Sequence, residues 1–230
     1  MFDIGILLPD LWSILGAVPA TLAMALAIFV SSTIIGSLYA LIEHRRIPVL
    51  RELVVAYKVT FKGVPMVVVI FLAYYGLPPA FQFLASLVEV KLNAHAMPNW
   101  VIIIVALTAC VAAFQAEVVK GALNSFDTGQ ADAAYSLGYK SSQLFRRILF
   151  PQVIVAAIPD LANSFMVIMK ALSLAFAIEV VDIFAQAQLT AALNFYYLEA
   201  FVIAVVIYMV IAYIVTHLAD RTEAALRVRS

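Results

Sequence analysis

A lysine stands in the middle of an apolar stretch of this chain. Lys170 follows nine uncharged residues and precedes eight more. An ionisable side chain inside a bilayer is costly unless it faces a cavity or a partner, so Lys170 marks a candidate functional site. A compact ammonium there could hold an α-carboxylate as a point charge. The same lysine could instead pair with Glu117 or Asp160 and simply hold helices together.

Asn163 lies seven residues before Lys170, which puts both side chains on one face of a helix, two turns apart. Its amide could hold a polar group of a bound molecule. An amide inside a membrane also serves as an interhelical hydrogen bond, and the sequence favours neither role. The segment therefore offers two aligned polar side chains as candidates for a substrate path.

A second candidate is the polar segment at 127–151, between two apolar blocks. Asp127 can cap a helix that Gly138 ends, since glycine adopts positive φ readily. Ser141 or Ser142 can cap a second helix through Leu149, and Pro151 is predicted to mark the turn into the fourth span. This pattern predicts a helix, a sharp bend and a second helix at one membrane face. The segment, called the 127–151 loop below, could contact a partner protein or could be an ordinary connection.

Composition places the whole chain in a membrane. Hydrophobic residues make up 65% of the chain and charged residues 12%, against about a quarter charged in soluble domains. No polar stretch is long enough for a soluble domain, so residues 1–230 are predicted to form a single transmembrane domain. The N-terminus lacks a basic segment before its apolar run, which argues against a cleaved signal peptide.

Hydropathy predicts an all-α, polytopic protein with five membrane-spanning helices. A hydrocarbon core about 30 Å thick needs roughly 20 apolar residues as helix. Suitable segments lie at 11–42, 53–75, 100–119, 153–178 and 200–218. Pro78 and Pro79 are predicted to end the second span, and residues 81–90 to form a short helix on the membrane surface. Within the second span, the sequence from Gly63 to Pro65 can bend the helix.

Positive charges predict the orientation. With the N-terminus outside and the C-terminus in the cytosol, twelve of the fourteen Lys and Arg residues face the cytosol or its membrane boundary. The exceptions are Lys170 and one lysine in an outer loop. Lys58 and Lys62 are expected to extend toward the cytosolic boundary. Glu117 is expected to pair with Lys120, three residues further on.

Several chemistries find no support in the sequence. The lone cysteine, Cys110, allows neither an internal disulfide nor a cysteine metal site. No two histidines share a helix at ligand spacing, so no metal site is expected. The sequence contains no nucleotide-binding loop of the form Gly-x4-Gly-Lys-Ser/Thr. We therefore expect no enzymatic activity and no cofactor in this chain.

The polar loop matches a known signature. Asp132, Ala133 and Ala134 are followed by three residues, Gly138, nine residues, and an Ile-x-x-Pro sequence that ends at Pro151. This order resembles the EAA loop of bacterial ABC-importer permeases, with aspartate in place of glutamate and phenylalanine where leucine is usual. In that family the loop is a coupling helix that docks into a cleft of the cytosolic ATPase. The resemblance implies that these five residues form an ATPase-coupling loop, with the two small alanines fitting a closing groove.

Further segments resemble one subfamily, the five-span permeases for polar amino acids. Phe-Lys-Gly-Val-Pro at 61–65 resembles that group's Phe-Arg-Gly-Thr-Pro. Similar matches lie at 116–121, 129–134 and 159–174. The resemblance covers about residues 11–225 and implies the type I ABC-importer permease architecture. It places the substrate path along the fourth span, with Asn163, Ser164, Lys170 and Ser173 as candidate residues.

The chain departs from that subfamily at two positions in the fourth span. Members often carry Glu and Asp where this chain has Ser164 and Ala171. In members that carry basic amino acids, those two acids suit a cationic side chain. Both carboxylates are missing here while Lys170 stays, which favours a neutral or acidic amino acid as the substrate.

The resemblance also implies a set of partners in the bacterial cytoplasmic membrane. These are a cytosolic ABC ATPase dimer that binds ATP and Mg, a second permease subunit, identical or homologous, and an extracellular solute-binding protein that docks near 76–98 and 179–199. No nucleic acid partner is expected. The sequence leaves open which amino acid is carried.

Two other classes of protein compete with this interpretation. One is a secondary transporter driven by an ion gradient, with Asp160, Lys170 and Glu117 as a charge relay. The other is a membrane scaffold that transports nothing. Neither accounts for the spacing from Asp132 to Gly138.

Overall fold

The computed structural model describes residues 4–87 and 97–227, and every element in these ranges is helical. The helices are α1 Ile4–Leu15, α2 Val18–His44, α3 Leu50–Gly63, α4 Met66–Leu87, α5 Asn99–Asn124, α6 Thr128–Ser136, α7 Ser141–Leu144, α8 Phe150–Leu172, α9 Ile183–Asn194 and α10 Tyr197–Arg227. A π-helical turn, Phe145–Leu149, joins α7 to α8, and a 3-10 turn, Ser173–Ile178, follows α8.

Five helical segments are long and apolar enough to cross a membrane, which confirms the predicted number of spans. They are Leu8–His44, Met66–Leu87, Asn99–Asn124, Ser141–Ile178 and Tyr197–Leu226. Lys120 Nζ lies 2.5 Å from Glu43 Oε2, so the C-terminal ends of α2 and α5 lie at the same end of the bundle. At the other end, Asn99 Nδ2 donates to the Ile178 carbonyl at 2.7 Å. The orientation of the termini stays a prediction.

The second span begins later than predicted, at Met66 instead of residue 53. The helix stops at Gly63, and Val64 is extended, with φ −89° and ψ 133°. A residue before proline is driven out of the α region, so Pro65 separates α3 from α4. The sequence from Gly63 to Pro65 is therefore a break between two helices and not a bend within one.

Prolines later in the same span do not end it, contrary to the prediction. Pro78 and Pro79 lie inside α4, which continues to Leu87. Membrane helices tolerate internal proline because neighbouring groups can satisfy the freed carbonyls. No separate surface helix starts at residue 81, and the predicted part at 88–90 lies outside the described residues.

The first span is two helices. The chain turns at Gly16 and Ala17, and Pro19 stands in the first turn of α2, where its missing N–H costs nothing. With 12 residues, α1 is only about 18 Å long, too short to cross the hydrocarbon core by itself. It packs instead against α9 and α10.

Helix α5 forms the centre of the bundle and contacts α2, α3, α4 and α8. Its buried positions include alanines at 106, 112, 113 and 116. Small residues let membrane helices approach each other closely. Inside a membrane, close packing and hydrogen bonds drive the association of helices, because lipid tails remove the hydrophobic effect between them. Gly36 of α2 sits at the tightest point, since a Cβ there would lie 2.6 Å from the Cβ of Gln115 and 2.8 Å from the backbone nitrogen of Ala116.

We expect Gly36→Ala to destabilise the fold by about 1–3 kcal/mol, because the new methyl group would force α2 and α5 apart. Gly76→Ala is the matched control, since nothing lies within 4 Å of its added Cβ. Both changes raise helix propensity equally, so the difference isolates the clash. Thermal unfolding in detergent measures it, and equal midpoints for the two variants would contradict the packing described.

Candidate functional site

One face of α8 is polar in the middle of an apolar span. Asp160, Asn163 and Lys170 are exposed there, while Ile168 and Met169 face the core. Spacings of three and seven residues put the polar groups on one side of the helix. Lipid tails cannot satisfy such groups. This face must therefore meet a water-filled path or another protein subunit.

The larger cavity along this face, called the Lys170 cavity, measures about 570 Å³ and lies between α8, α9 and α10. Its lining includes Asn163, Lys170 and Ser173, three of the four residues predicted for a substrate path. Ser173 Oγ donates to the Lys170 carbonyl at 2.7 Å. Apart from Lys170, the lining side chains carry no charge. The structure thus gathers a cation, an amide and a hydroxyl in one place.

Ser164, the fourth predicted residue, lies in a different cavity. This Ser164 cavity, about 380 Å³, opens between α4, α5 and α8 and is lined by two carboxylates, Glu117 and Asp160. Asn163 lines both cavities. Ala171 is buried and lines neither of them. The two positions that depart from the subfamily pattern are therefore not equivalent, and only Ser164 faces open space.

Lys170 forms no ion pair within the described residues. The alternative, in which Lys170 pairs with Glu117 or Asp160 only to hold helices together, is therefore not what the fold shows. Glu117 is engaged elsewhere, with Lys58 at 2.9 Å and Lys62 at 3.4 Å. This leaves the Lys170 ammonium available to an anionic group in the cavity.

The expected pair between Glu117 and Lys120 is wrong. Five side chains from α2, α3 and α5, called the ion cluster below, share the charges instead: Glu43, Lys58, Lys62, Glu117 and Lys120. Lys58 is buried and contacts both glutamates, so its side chain ends in an ion pair within the protein. Because α3 is separated from α4, it can lie back against the ends of α2 and α5.

The electrostatics of Lys58 favour its charged form. Burial by itself would lower the pKa of the ammonium, but hydrogen bonds and charges from Glu43 and Glu117 outweigh it and raise the pKa above the usual value. Lys62 also lies 5.9 Å from the centroid of the Phe114 ring. The ion cluster therefore holds the end of α3 firmly against the bundle.

The residues that α9 and α10 contribute to the Lys170 cavity were not predicted from the sequence. Phe184, Tyr208 and Met209 line it opposite Lys170. Tyr208 was the available signal, because a phenol in an apolar span needs a hydrogen-bond partner. Its hydroxyl donates to Asp182 Oδ2 at 3.1 Å.

Asp182 is buried in the connection between the fourth and fifth spans. Its other oxygen accepts from the Ala185 N–H at 2.9 Å and caps the start of α9. Burial raises the pKa of this carboxyl, and the hydrogen bonds from Ala185, Phe184 and Tyr208 only partly oppose the rise. The fold therefore favours the protonated form more than the unfolded chain does.

We expect Asp182 to make stability fall as the pH rises. Loss begins above the ordinary aspartate value of about 3.9 and is complete once the pH exceeds the raised pKa. Asp182→Asn keeps an oxygen for the α9 cap but cannot ionise. Unfolding midpoints measured in detergent from pH 4 to 8 should decline less for this variant than for the parent chain. Parallel curves would contradict the assignment.

The bend of the 127–151 loop follows the predicted local chemistry. Asp127 Oδ1 accepts the N–H of residue 129 at 2.9 Å and caps α6. Gly138 has φ +81° and donates to the Tyr135 carbonyl at 2.9 Å, while Tyr139 donates to the Ala134 carbonyl at 3.0 Å. This pair of bonds is the Schellman arrangement, which ends a helix at a left-handed residue.

The tip of the 127–151 loop presents both polar and apolar groups. Asp132, Ala133 and Gly138 are exposed, and Leu137 is 78% exposed. Ala134 is buried, so only the first of the two alanines is accessible to a partner's groove. The loop tip therefore offers an acid, a small residue and a large apolar side chain to solvent.

The second half of the 127–151 loop differs in detail from the prediction. The N-cap of α7 is Lys140, so the prediction of Ser141 or Ser142 as the cap is wrong. The backbone N–H of Lys140 donates to Gln143 Oε1 at 2.9 Å. Pro151 does not mark a turn. It stands in the first turn of α8, and the π-helical turn before it keeps the chain helical, since a wider turn accommodates the proline ring.

Comparisons with known proteins agree with this architecture. Residues 45–228 match the family described as binding-protein-dependent transport system inner membrane component. The probable amino-acid permease protein YxeN of Bacillus subtilis (strain 168) is 37% identical over 214 residues, which cover 93% of this chain and 91% of that protein. The probable amino-acid ABC transporter permease protein PatM of Vibrio harveyi is 36% identical over 220 residues, covering 96% and 93%.

Solved structures share the fold. A chain in the crystal structure of an amino acid ABC transporter with histidines superposes with a TM-score of 0.82 at 24% identity, covering 98% of this chain and 99% of that chain. A chain of the inward-facing MetNI methionine ABC transporter gives a TM-score of 0.71 at 21% identity. These likenesses show the fold, the type I ABC-importer permease architecture.

The five apolar spans within the described residues and the family match define a multi-pass membrane protein. The chain belongs to the family of inner membrane components of binding-protein-dependent transport systems. The resemblance to ABC-importer permeases is thereby confirmed.

Proposed function

We propose that this chain is the translocation subunit of an ATP-driven importer that carries a neutral or acidic amino acid across the bacterial cytoplasmic membrane. The observation that carries the proposal is the ammonium of Lys170, which has no ion-pair partner among the described residues, in a cavity lined by no carboxylate. Relatives at 37% and 36% identity are named as probable amino-acid permeases, which supports the substrate class.

The charges along α8 support the selectivity. Asp160 lies ten residues before Lys170, about 15 Å along the helix, so one amino acid cannot bridge the two with its own α-ammonium and α-carboxylate. A substrate whose carboxylate binds Lys170 therefore rests among Asn163, Ser173 and apolar walls. The lining offers Lys170 as a partner for carboxylate groups and offers no carboxylate to pair with a cationic side chain.

The exposed polar face of α8 supports a second permease subunit, identical or homologous. Within the described residues, nothing from this chain covers Asp160, Asn163 and Lys170. A twofold or pseudo-twofold arrangement would turn two such faces toward one shared path. An extracellular solute-binding protein would deliver substrate at the opposite end from the 127–151 loop, near 179–199 and 76–98, of which 88–96 lie outside the described residues.

The 127–151 loop is the proposed contact with a pair of cytosolic ABC ATPases, which would bind ATP and Mg. Asp132, Ala133, Gly138 and Leu137 present the contact surface, and Pro151 starts the helix that leads to the path. Gln152 Nε2 donates to Gln130 Oε1 at 2.9 Å and ties α6 to the base of α8. Movement of α6 in an ATPase cleft would therefore reach α8 directly.

Changing Lys170 and Ser164 tests the selectivity. Lys170→Met should lower uptake of neutral and acidic amino acids about tenfold or more, because a charge-assisted hydrogen bond to the carboxylate is lost. Lys170→Arg keeps the charge and should retain more uptake. Ser164→Glu restores the acid found in related permeases beside Asn163, which lines both cavities, and should admit arginine as a competitor. Uptake of labelled arginine by the parent chain that survives excess neutral amino acids would rule out the proposed selectivity.

Gly138 tests coupling to ATP. Gly138→Val places a β-branched residue at φ +81° and should abolish ATP-dependent uptake in proteoliposomes that also hold the ATPase, the binding protein and any second permease. Gly138→Asn should retain much of it, because asparagine tolerates the left-handed region. Gly121→Ala is the matched control at a helical glycine with nothing within 4 Å.

The same experiment separates the rival classes. A secondary transporter predicts uptake that follows an ion gradient, needs no ATP and tolerates Gly138→Val. A scaffold predicts that Lys170→Met and Gly138→Val leave every measured property near that of the parent chain. Either result would overturn the importer assignment.

A further inference from the structure

A cleft of about 670 Å³ lies away from the polar face of α8, between the end of α2, the length of α3 and the end of α5. Basic side chains dominate its lining. Five of them, Arg46, Arg51, Lys58, Lys62 and Lys120, face two carboxylates, Glu43 and Glu117. Positive charge is therefore in excess inside one concave site, called the arginine cleft below.

The excess charge lies at the rim of the arginine cleft. The three lysines share the two glutamates within the ion cluster, at distances up to 3.4 Å. Arg46 forms no ion pair within the described residues, and Arg51 pairs only with exposed Glu52, at 3.5 Å. Exposed pairs of that kind contribute little. Two guanidinium groups are thus free to bind an anion, above three lysines whose charges the two glutamates only partly offset.

The wall of the arginine cleft has the character of a membrane-surface helix. Helix α3 has 14 residues, about 21 Å, too short to span the hydrocarbon core. Leu53 on its outer side is 61% exposed, Val49 just before its first residue is 71% exposed, and Val59 at the edge of the cleft is 68% exposed. Its three basic residues, Arg51, Lys58 and Lys62, line the cleft. A short helix with one apolar open side and one basic side lies at the boundary between lipid tails and headgroups.

We propose that the arginine cleft binds the phosphate of an anionic phospholipid headgroup. Arg46 and Arg51 would hold the phosphate oxygens by charge-assisted, bidentate hydrogen bonds. The acyl chains would run along the open apolar side of α3, where Val59 also lines the cleft. With the orientation predicted from the positive charges, the cleft faces the cytosolic leaflet, whose anionic lipids attract basic residues. A soluble phosphate offers the same oxygens to the two arginines, but it has no acyl chains to pack against the exposed valines along α3.

Native mass spectrometry of the full-length chain in detergent tests the proposal, with phosphatidylglycerol and phosphatidylcholine of equal chain length as probes. The parent chain should retain phosphatidylglycerol at least about tenfold more tightly than phosphatidylcholine. Arg46→Gln combined with Arg51→Gln should remove that preference, since each basic group near the lipid contributes separately. Both arginines lie outside the ion cluster, so the variant should fold normally, as its unfolding midpoint would show.

The matched control is Arg146→Gln combined with Arg221→Gln. It removes two exposed arginines that do not line the arginine cleft and should bind phosphatidylglycerol within twofold of the parent chain. Equal loss of binding in the control and the cleft variant would overturn the proposal, because the lipid would then be responding to overall charge. Displacement of the lipid by millimolar inorganic phosphate would also overturn it, in favour of a soluble anion as the occupant.

Discussion

Hydrocarbon offers no hydrogen bonds, so each charged group that this chain places near or inside the bilayer needs a partner within the protein or in trapped water. Lys58 in the ion cluster meets that constraint, since it is buried between Glu43 and Glu117. Lys170 does not meet it within the described residues. The contrast between the two lysines is the physical basis for the proposal of a second permease subunit.

The packing of the bundle follows from the same constraint. Without a hydrophobic force between helices, α2 and α5 are held together by close approach at Gly36 and by side-chain hydrogen bonds, such as Ser31 to Thr108 at 2.8 Å. The break at Pro65 then frees α3 to return toward the ends of α2 and α5. That return brings Lys58 to its two glutamates, so a local backbone rule determines where charges from three helices meet.

Features that depend on neighbouring residues could be predicted from the sequence, and features that depend on distant ones could not. Asp127 and Gly138 shape the loop through bonds that reach only a few residues, and both behave as expected. Lys58 and Glu117 are 59 residues apart, and no local pattern indicates that they meet. Likewise, the periodicity of α8 aligned Asn163 with Lys170, but the separation of Ser164 into another cavity depends on how α4 and α5 pack.

A single helical segment connects the two parts of the molecule to which we assign function. The chain is helical without interruption over Ser141–Ile178, 38 residues, from the 127–151 loop past Lys170. From Pro151 to Lys170 the rise is about 28 Å, close to the thickness of the hydrocarbon core. Under the proposed function, this continuous helix is the route by which a displacement of the loop would reach the cavity. The π-helical turn at Phe145–Leu149 lies between α7 and α8, and a widened turn is a natural place for such movement to be absorbed or passed on.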